Sequence, residues 1–424
     1  MISRATTRVH DLVRKLLVSA NGGVRHFFQI ERYKMGVRKG SALRSSRSAL
    51  PFKEPIYVTR PLLPALDDYT RELEEIWASG WVTNGGAKHA ELERVLLAEL
   101  RASYLSLFNN GTIALIVACQ AARLSGEVIT TPFTFPATPH VLSWNAVKPV
   151  FADIHPETLT LDPAAIEPLI TAKTTGILGV HVYGMPCDVF GIQAVADTFG
   201  LSVIYDGAHA FGTEIGGRPI GDFGDLTMLS FHATKLFNTV EGGALIVHNE
   251  VMKKRVDYLK NFGIKNETEV IMPGINGKLN ELQAAMGILN VKLFSAEKER
   301  RRVLADVYRE GLSNIEGISC FALPENVKNS EQYFIIRVDE KILPDMRDHL
   351  YFRLKENNVH TRRYFYPLCS EANCYRSLSS SQPANLPNAH RAAREVLALP
   401  YYGALSIDAV SQICELIEKT VSPH

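Results

Sequence analysis

The sequence predicts an α/β fold: a large domain built on a mixed, mostly parallel seven-stranded sheet, followed by a smaller C-terminal α+β domain. Three observations carry this expectation. From about Pro61 onward, short apolar runs of strand length alternate with amphipathic stretches, the pattern of strands joined by crossover helices. Seven such runs fall between residues 104 and 248. After residue 280 the pattern changes to two long polar-faced stretches around a single further run.

In chain order, strands are expected at Tyr104–Phe108, Glu127–Thr130, Pro149–Asp153, Gly176–Val182, Ser202–Asp206, Leu226–Phe231 and Gly243–His248. Helices are expected between them at Thr112–Leu124, Pro163–Thr171 and Phe190–Phe199. Asn280–Leu312 and Asp345–Asn358 read as helices flanking a strand at Gln332–Val338. The domain change is therefore set near residue 295, giving a large domain over 51–295 and a small one over 296–424. With 424 residues, 46% hydrophobic, the chain is long enough to bury cores of both kinds.

The first fifty residues stand apart. They carry 11 Lys and Arg against only Asp11 and Glu31, a net charge of +9 within a chain whose total is +1. Val9–Ala20 has the composition of a basic amphipathic helix for an acidic surface or membrane. A solvated extension, a true start at Met35, or a presequence fits the same residues. Six cysteines without paired spacing read as reduced thiols, with neither a disulfide nor a metal site. No run approaches the roughly 18 apolar residues of a membrane span. A cytoplasmic protein without a nucleic-acid partner is the expectation.

The chemistry centres on Ser230-Phe231-His232-Ala233-Thr234-Lys235, which follows the apolar run Leu226–Leu229 and leads to Glu241-Gly242-Gly243. A lysine just past a buried strand is partly desolvated, which lowers its pKa and makes its amine a nucleophile toward an aldehyde. By itself such a lysine is more often a solvated charge. Upstream, Asp206-Gly207-Ala208-His209 puts a carboxylate at a strand's carboxyl end, where ligands of open α/β sheets bind. Pyridoxal phosphate requires such a carboxylate at its pyridine nitrogen, so that the ring acts as an electron sink. A plain turn cap accounts for Asp206 equally well. The Asn109-Asn110-Gly111-Thr112 turn, between a strand and a helix, offers free N–H groups to a phosphate, and Ser230 could add a hydroxyl. Phe135 is either a cover for the ring or ordinary core.

Together these segments resemble the sugar aminotransferases of the DegT/DnrJ/EryC1/StrS type, within the fold type I pyridoxal-phosphate transferases. The resemblance runs from about Pro61 to the C-terminus. It rests on Asn110-Gly111-Thr112, Thr134-Phe135, Asp206 to His209, Ser230 to Lys235, Glu241-Gly242-Gly243 and the segment Gly274 to Ala285. It implies that Lys235 carries the cofactor, Asp206 pairs with the pyridinium, Phe135 stacks on the ring, and Gly111, Thr112 and Ser230 bind the phosphate. It further implies that His209 supports the ring, and that Asn238 and Lys278 reach the cofactor phosphate of a partner in a homodimer with shared sites. Two departures matter: the family often has Arg where this chain has Lys278, and Ser where it has Asn280. A two-point phosphate contact would then become a point charge.

The implied reaction moves an amino group from an amino-acid donor, expected to be glutamate, through pyridoxamine phosphate to a keto sugar linked to a nucleotide. Asn280–Gln283 and the run Arg362-Arg363-Tyr364-Phe365-Tyr366-Pro367-Leu368 resemble enzymes that aminate C4 of dTDP-4-keto-6-deoxyglucose for surface polysaccharide. Arg362, Arg363 and Tyr364 are thus substrate candidates, the arginines for the diphosphate. Two solvated arginines on a strand edge fit as well. C3 amination, a GDP-linked sugar and a non-catalytic binding protein on the same fold are the other readings.

Overall fold

The computed structural model describes residues 52–422; the expected helix at Val9–Ala20 and the whole basic segment lie outside them. Two helices, α1 (Leu66–Ser79) and α2 (Ala87–Glu99), precede the main sheet. There follow β1 (Tyr104–Phe108), α3 (Gly111–Ala121), β2 (Glu127–Thr130), α4 (Ala137–Trp144), β3 (Lys148–Phe151), β4 (Thr174–Val180), α5 (Val189–Phe199), β5 (Ser202–Asp206), β6 (Leu226–Ser230) and β7 (Gly243–Val247). The strand order is β1-β7-β6-β5-β4-β2-β3. Only β7 runs against its neighbours, pairing antiparallel with both β1 and β6.

The expected helix at Pro163–Thr171 is instead two single 3₁₀ turns, Pro163–Ala165 and Glu167–Leu169. Pro168 has no N–H for an α-helical bond and biases the residue before it away from the helical region.

The sheet is buried on both faces, as its unbroken apolar strands require. Phe108, Leu178, Ile204, Met228 and Leu245 meet Ala114, Leu115 and Ala118 of α3. On the opposite face Leu107, Leu229 and Ala244 meet Leu92 and Leu96 of α2, while Ile177 and Val203 meet Ile192 of α5.

After β7 come α6 (Glu250–Leu259) and α7 (Glu281–Leu312). The C-terminal unit adds β8 (Ile318–Cys320), β9 (Phe334–Val338), α8 (Met346–Glu356), α9 (Pro387–Glu395), β10 (Val396–Leu399) and α10 (Ile407–Val421). Its antiparallel sheet has the order β8-β9-β10. Residue 295 lies in the middle of α7. The first half of this helix contributes Ala284 and Ile288 to the α2 side of the main sheet. Its second half puts Leu304, Tyr308 and Leu312 into a core with Phe334, Ile336 and Ile413. Asn280 starts the helix with a capping box, its side chain accepting from Gln283 N–H and the Gln283 side chain reaching back to the Asn280 N–H. Asparagine is as good a cap as serine, so this departure from the family leaves the helix start intact.

Candidate active site

The carboxyl ends of β1, β5 and β6 and the start of antiparallel β7 lie at one end of the sheet, because Gly243 pairs with both Phe108 and Ser230. A cavity of about 300 Å³ opens there. Its walls include Gly111, Thr112, Phe135, Asp206, His209, Ser230, Lys235 and Tyr364, eight residues singled out in the sequence, and also Thr134, Met228 and Tyr333.

Asp206 is the last residue of β5 and is buried. One carboxylate oxygen, Oδ1, accepts the Ala208 N–H at 3.0 Å, as in a turn cap; the other, Oδ2, accepts the Thr138 hydroxyl at 2.7 Å. Thr138 in turn bonds Thr134 at 2.8 Å. Burial raises the Asp206 pKa, against the opposing pull of these two donors and of Lys235. A buried carboxylate with lone pairs left over fits a cationic N–H donor better than it fits an empty cavity.

His209 sits two residues beyond Ala210's turn partner Gly207 and accepts the Tyr183 N–H on Nδ1 at 3.1 Å. The acceptor role fixes the hydrogen on Nε2. Burial holds its pKa well below the ordinary value, with Lys235 adding to the effect, so the imidazole is neutral. Tyr333 packs edge-on against it at 4.9 Å between ring centres.

Lys235 lies on the loop between β6 and β7, which continues the ladder through Phe231 N–H to Gly242 C=O and Ala233 N–H to Val240 C=O. Burial pushes its amine down to about 8, with Asp206 pulling the other way. About a tenth is therefore uncharged at pH 7, far more than for an ordinary lysine, as a nucleophile requires.

Asn110 caps α3 by accepting Ile113 N–H at 2.8 Å, which leaves the N–H groups of Gly111 and Thr112 at the open helix end. Glycines make this end accessible. A Cβ on Gly243 would lie 2.8 Å from the Asn110 carbonyl carbon and the Gly111 nitrogen, and one on Gly111 would lie 3.0 Å from Met228 Sδ. Gly207 is also required: a Cβ there would come within 2.8 Å of Met228 C=O.

Pyridoxal phosphate fits these residues: a buried carboxylate for its ring nitrogen, a free helix start and a hydroxyl for its phosphate, and a lysine of lowered pKa for its aldehyde. Phe135, 60% exposed, stands at the cavity wall rather than in the core. Other expected residues lie elsewhere. Asn238 is fully buried away from the cavity, donating to Leu62 C=O at 3.0 Å and accepting Val240 N–H at 3.2 Å. Lys278 bonds Asn276 Oδ1 at 2.6 Å and lies over the Phe262 ring. Arg362 is exposed and pairs through its main chain with Ala398. Arg363 bonds Asp348 at 3.1 Å and lines a second cavity of about 320 Å³, which shares Thr134, Phe135, Tyr364 and Phe365 with the first.

Known proteins resemble this chain over most of its length. The model of the DegT/DnrJ/EryC1/StrS aminotransferase family matches residues 66–418. A dTDP-4-amino-4,6-dideoxy-D-glucose transaminase of Escherichia coli is 43% identical over 367 residues, 85% of this chain and 98% of that protein. The same enzyme of Shigella dysenteriae is 45% identical over 87% of this chain and 99% of its own length. The crystal structure of DesI, solved in the presence of its TDP-sugar product, superposes with a TM-score of 0.83 at 35% identity, covering 87% of this chain and 94% of DesI. A sugar aminotransferase from Streptococcus pneumoniae, 25% identical and covering 86% of this chain and 98% of its own, superposes in pyridoxal-phosphate and pyridoxamine-phosphate forms with TM-scores of 0.78 and 0.79.

Proposed function

Because the chain belongs to the DegT/DnrJ/EryC1/StrS aminotransferase family, whose members use pyridoxal phosphate, we propose that it aminates C4 of dTDP-4-keto-6-deoxyglucose. The product is dTDP-4-amino-4,6-dideoxyglucose, a unit for surface polysaccharide, with glutamate as amino donor. The observation that carries this reading is the 43–45% identity, over nearly their full length, to two transaminases named for that product. A cytoplasmic location goes with it, since both substrates are water-soluble; among the described residues no helix is long and apolar enough to cross a membrane.

The bound cofactor supplies the electron sink that lets nitrogen move between two carbons. The chain's own groups do the rest. Asp206 holds the ring nitrogen, Gly111 and Thr112 N–H and the Ser230 hydroxyl hold the phosphate, and Phe135 covers a ring face. The neutral His209 gives a fixed wall on the ring side. Lys235, uncharged in part near neutral pH, would hold the cofactor through its amine and, once released from it, would take and return the proton at the reacting carbon. Arg363 and Tyr364, in the adjoining cavity, are assigned to the nucleotide arm. Arg362 is the less favoured arginine, because it borders neither cavity.

The working unit is a homodimer with shared sites. Trp81, Val82, Val240 and Phe262, each 47–53% exposed, gather around the start of α7: Val82 C=O accepts the Glu281 N–H, and Phe262 carries Lys278 on its ring. These exposed apolar side chains suit a contact between subunits, which would bring Lys278 to the edge of the interface, with buried Asn238 holding Val240 through its N–H.

The test is a panel of dTDP-, UDP- and GDP-linked 3-keto and 4-keto sugars incubated with glutamate, the new amine being located by NMR. Amination at C3, or turnover only with a GDP sugar, would overturn the substrate assignment. Borohydride reduction should fix the cofactor to Lys235. A yellow protein without turnover on any keto sugar would favour a binding role.

A further inference from the structure

The loop that carries Lys235 is held by a residue 97 positions away that no sequence motif singled out. The Gln332 side chain, buried at 3% exposure, accepts the Leu236 N–H on Oε1 at 2.8 Å and donates from Nε2 to Thr234 C=O at 3.1 Å. The two bonds straddle Lys235 and differ in polarity, so the amide has one orientation and satisfies both. The Lys235 N–H itself donates to His232 C=O at 2.8 Å. Leu236 and Phe237, which follow, are locked in the core beside Phe211 and Phe231. The main chain around the lysine is thereby tied on both sides, and its methylenes are left as the moving part.

Gln332 is itself anchored from behind. Its N–H donates to Ser330 Oγ at 3.3 Å. The preceding Glu331 accepts Arg301 Nη1 on its carbonyl at 3.2 Å and the Tyr401 hydroxyl on its carboxylate at 2.5 Å. Arg301, on α7, is fully buried and bonds Glu297 at 2.9 Å. The clamp thus joins the C-terminal unit to the catalytic loop.

We propose that Gln332 is a positioning residue for Lys235, its amide fixing the main chain on both sides of that lysine and so the direction from which the amine enters the cavity. This rests on the reading of Lys235 as the cofactor-bearing lysine. A glutamine needed only to satisfy its own buried amide would find any two partners; this one takes the two peptide groups that flank the nucleophile. The amine is faced by Asp206 and His209 from the end of β5, by Tyr333 next to Gln332, by Tyr364, and by His232 and Glu241 of its own loop. Its ionisation therefore reports where it sits among them.

The experiment compares full-length wild type, Gln332→Met and Gln332→Glu. In the holoenzymes, turnover is measured against KM, and the cofactor absorbance is followed with pH. In the same preparations stripped of cofactor, limiting acylation with peptide mass spectrometry follows Lys235 across neutral to alkaline pH, with exposed Lys419 as reference. Wild-type Lys235 should titrate near about 8. In both variants the loosened loop admits water, so the midpoint should rise toward the ordinary lysine value of about 10.4. Turnover should fall about 10- to 100-fold with KM little changed, the effect of misplacing a reacting group by about 1 Å. An unchanged Lys235 midpoint and unchanged absorbance profile in a folded variant would overturn the proposal. The glutamate variant, matching glutamine in shape, serves if the methionine variant does not fold. Reduction of the cofactor onto a different lysine would refute the reading of Lys235 instead, while the acylation midpoint would still judge the clamp.

Discussion

Replacing Lys235 with methionine should make the cofactor-free protein more stable at neutral pH. Burial lowers the amine from 10.5 to about 8, and each pH unit of that difference corresponds to about 1.36 kcal/mol of unfavourable charge burial in the folded state. Allowing for the side of the lysine that faces the open cavity, the penalty comes to about 2 to 3 kcal/mol. Methionine keeps the length of the chain and removes the charge, so the variant recovers this amount. The pH dependence follows from the sign of the shift. A cation depressed in the folded state costs its full amount below about pH 8, and the cost fades as pH rises toward the unfolded value, because both states then hold a neutral amine. Asp206 loses the opposing pull of the Lys235 charge, so the effect of burial, which raises its pKa, is less opposed in the variant. Denaturant unfolding of both cofactor-free proteins, at neutral pH and again near the unfolded lysine pKa, measures the gap. A variant no more stable than wild type at neutral pH, or a gap that does not close at alkaline pH, would refute the claim that this lysine is held desolvated.

Thr138→Val should weaken cofactor binding roughly 10- to 150-fold, the worth of one hydrogen bond of about 1.5–3 kcal/mol to a buried carboxylate, while Thr138→Ser should bind nearly as wild type; equilibrium titration of the cofactor-free protein reads this directly. Gly243→Ala should lower cofactor affinity and melting temperature together, since its Cβ would press on the Asn110–Gly111 peptide at 2.8 Å; thermal melts with and without cofactor separate the two effects. Lys278→Ala and Lys235→Ala, each deficient alone, should recover activity when mixed and allowed to exchange subunits, as expected for sites built from two chains, and no recovery would count against sharing.

The residues legible in the sequence are those whose role follows from their own position along the chain. Asp206 and Ser230 end strands, Gly111 opens a helix, and Lys235 follows an apolar run, so strand-end logic found each of them. What stayed hidden acts across long separations. Thr138 reaches Asp206 over 68 positions and Gln332 reaches the lysine loop over 96 and 98, and nothing local marks either residue. Tyr183 and Tyr333, which fix and flank His209, look like ordinary core aromatics in the sequence. Asn238 drew attention by its place after Lys235, yet its amide is spent on Leu62 and Val240. The apolar spacing at 163–171 suits a helix, and Pro168 leaves it as two 3₁₀ turns.

The antiparallel β7 has a consequence for how such an enzyme can change. Among the strands of the main sheet, β6 and β7 alone are consecutive in sequence, adjacent in space and antiparallel, so Lys235 sits on a hairpin whose two ends are fixed by one ladder. An inserted or deleted residue in that hairpin would shift the lysine against Asp206 directly. Asn110, Phe135 and Asp206 instead stand at the ends of crossover connections, where added length can bulge into solvent. New substrates are therefore most readily accommodated by rewriting the crossover loops and the Arg363 region, with the length of the lysine hairpin kept constant.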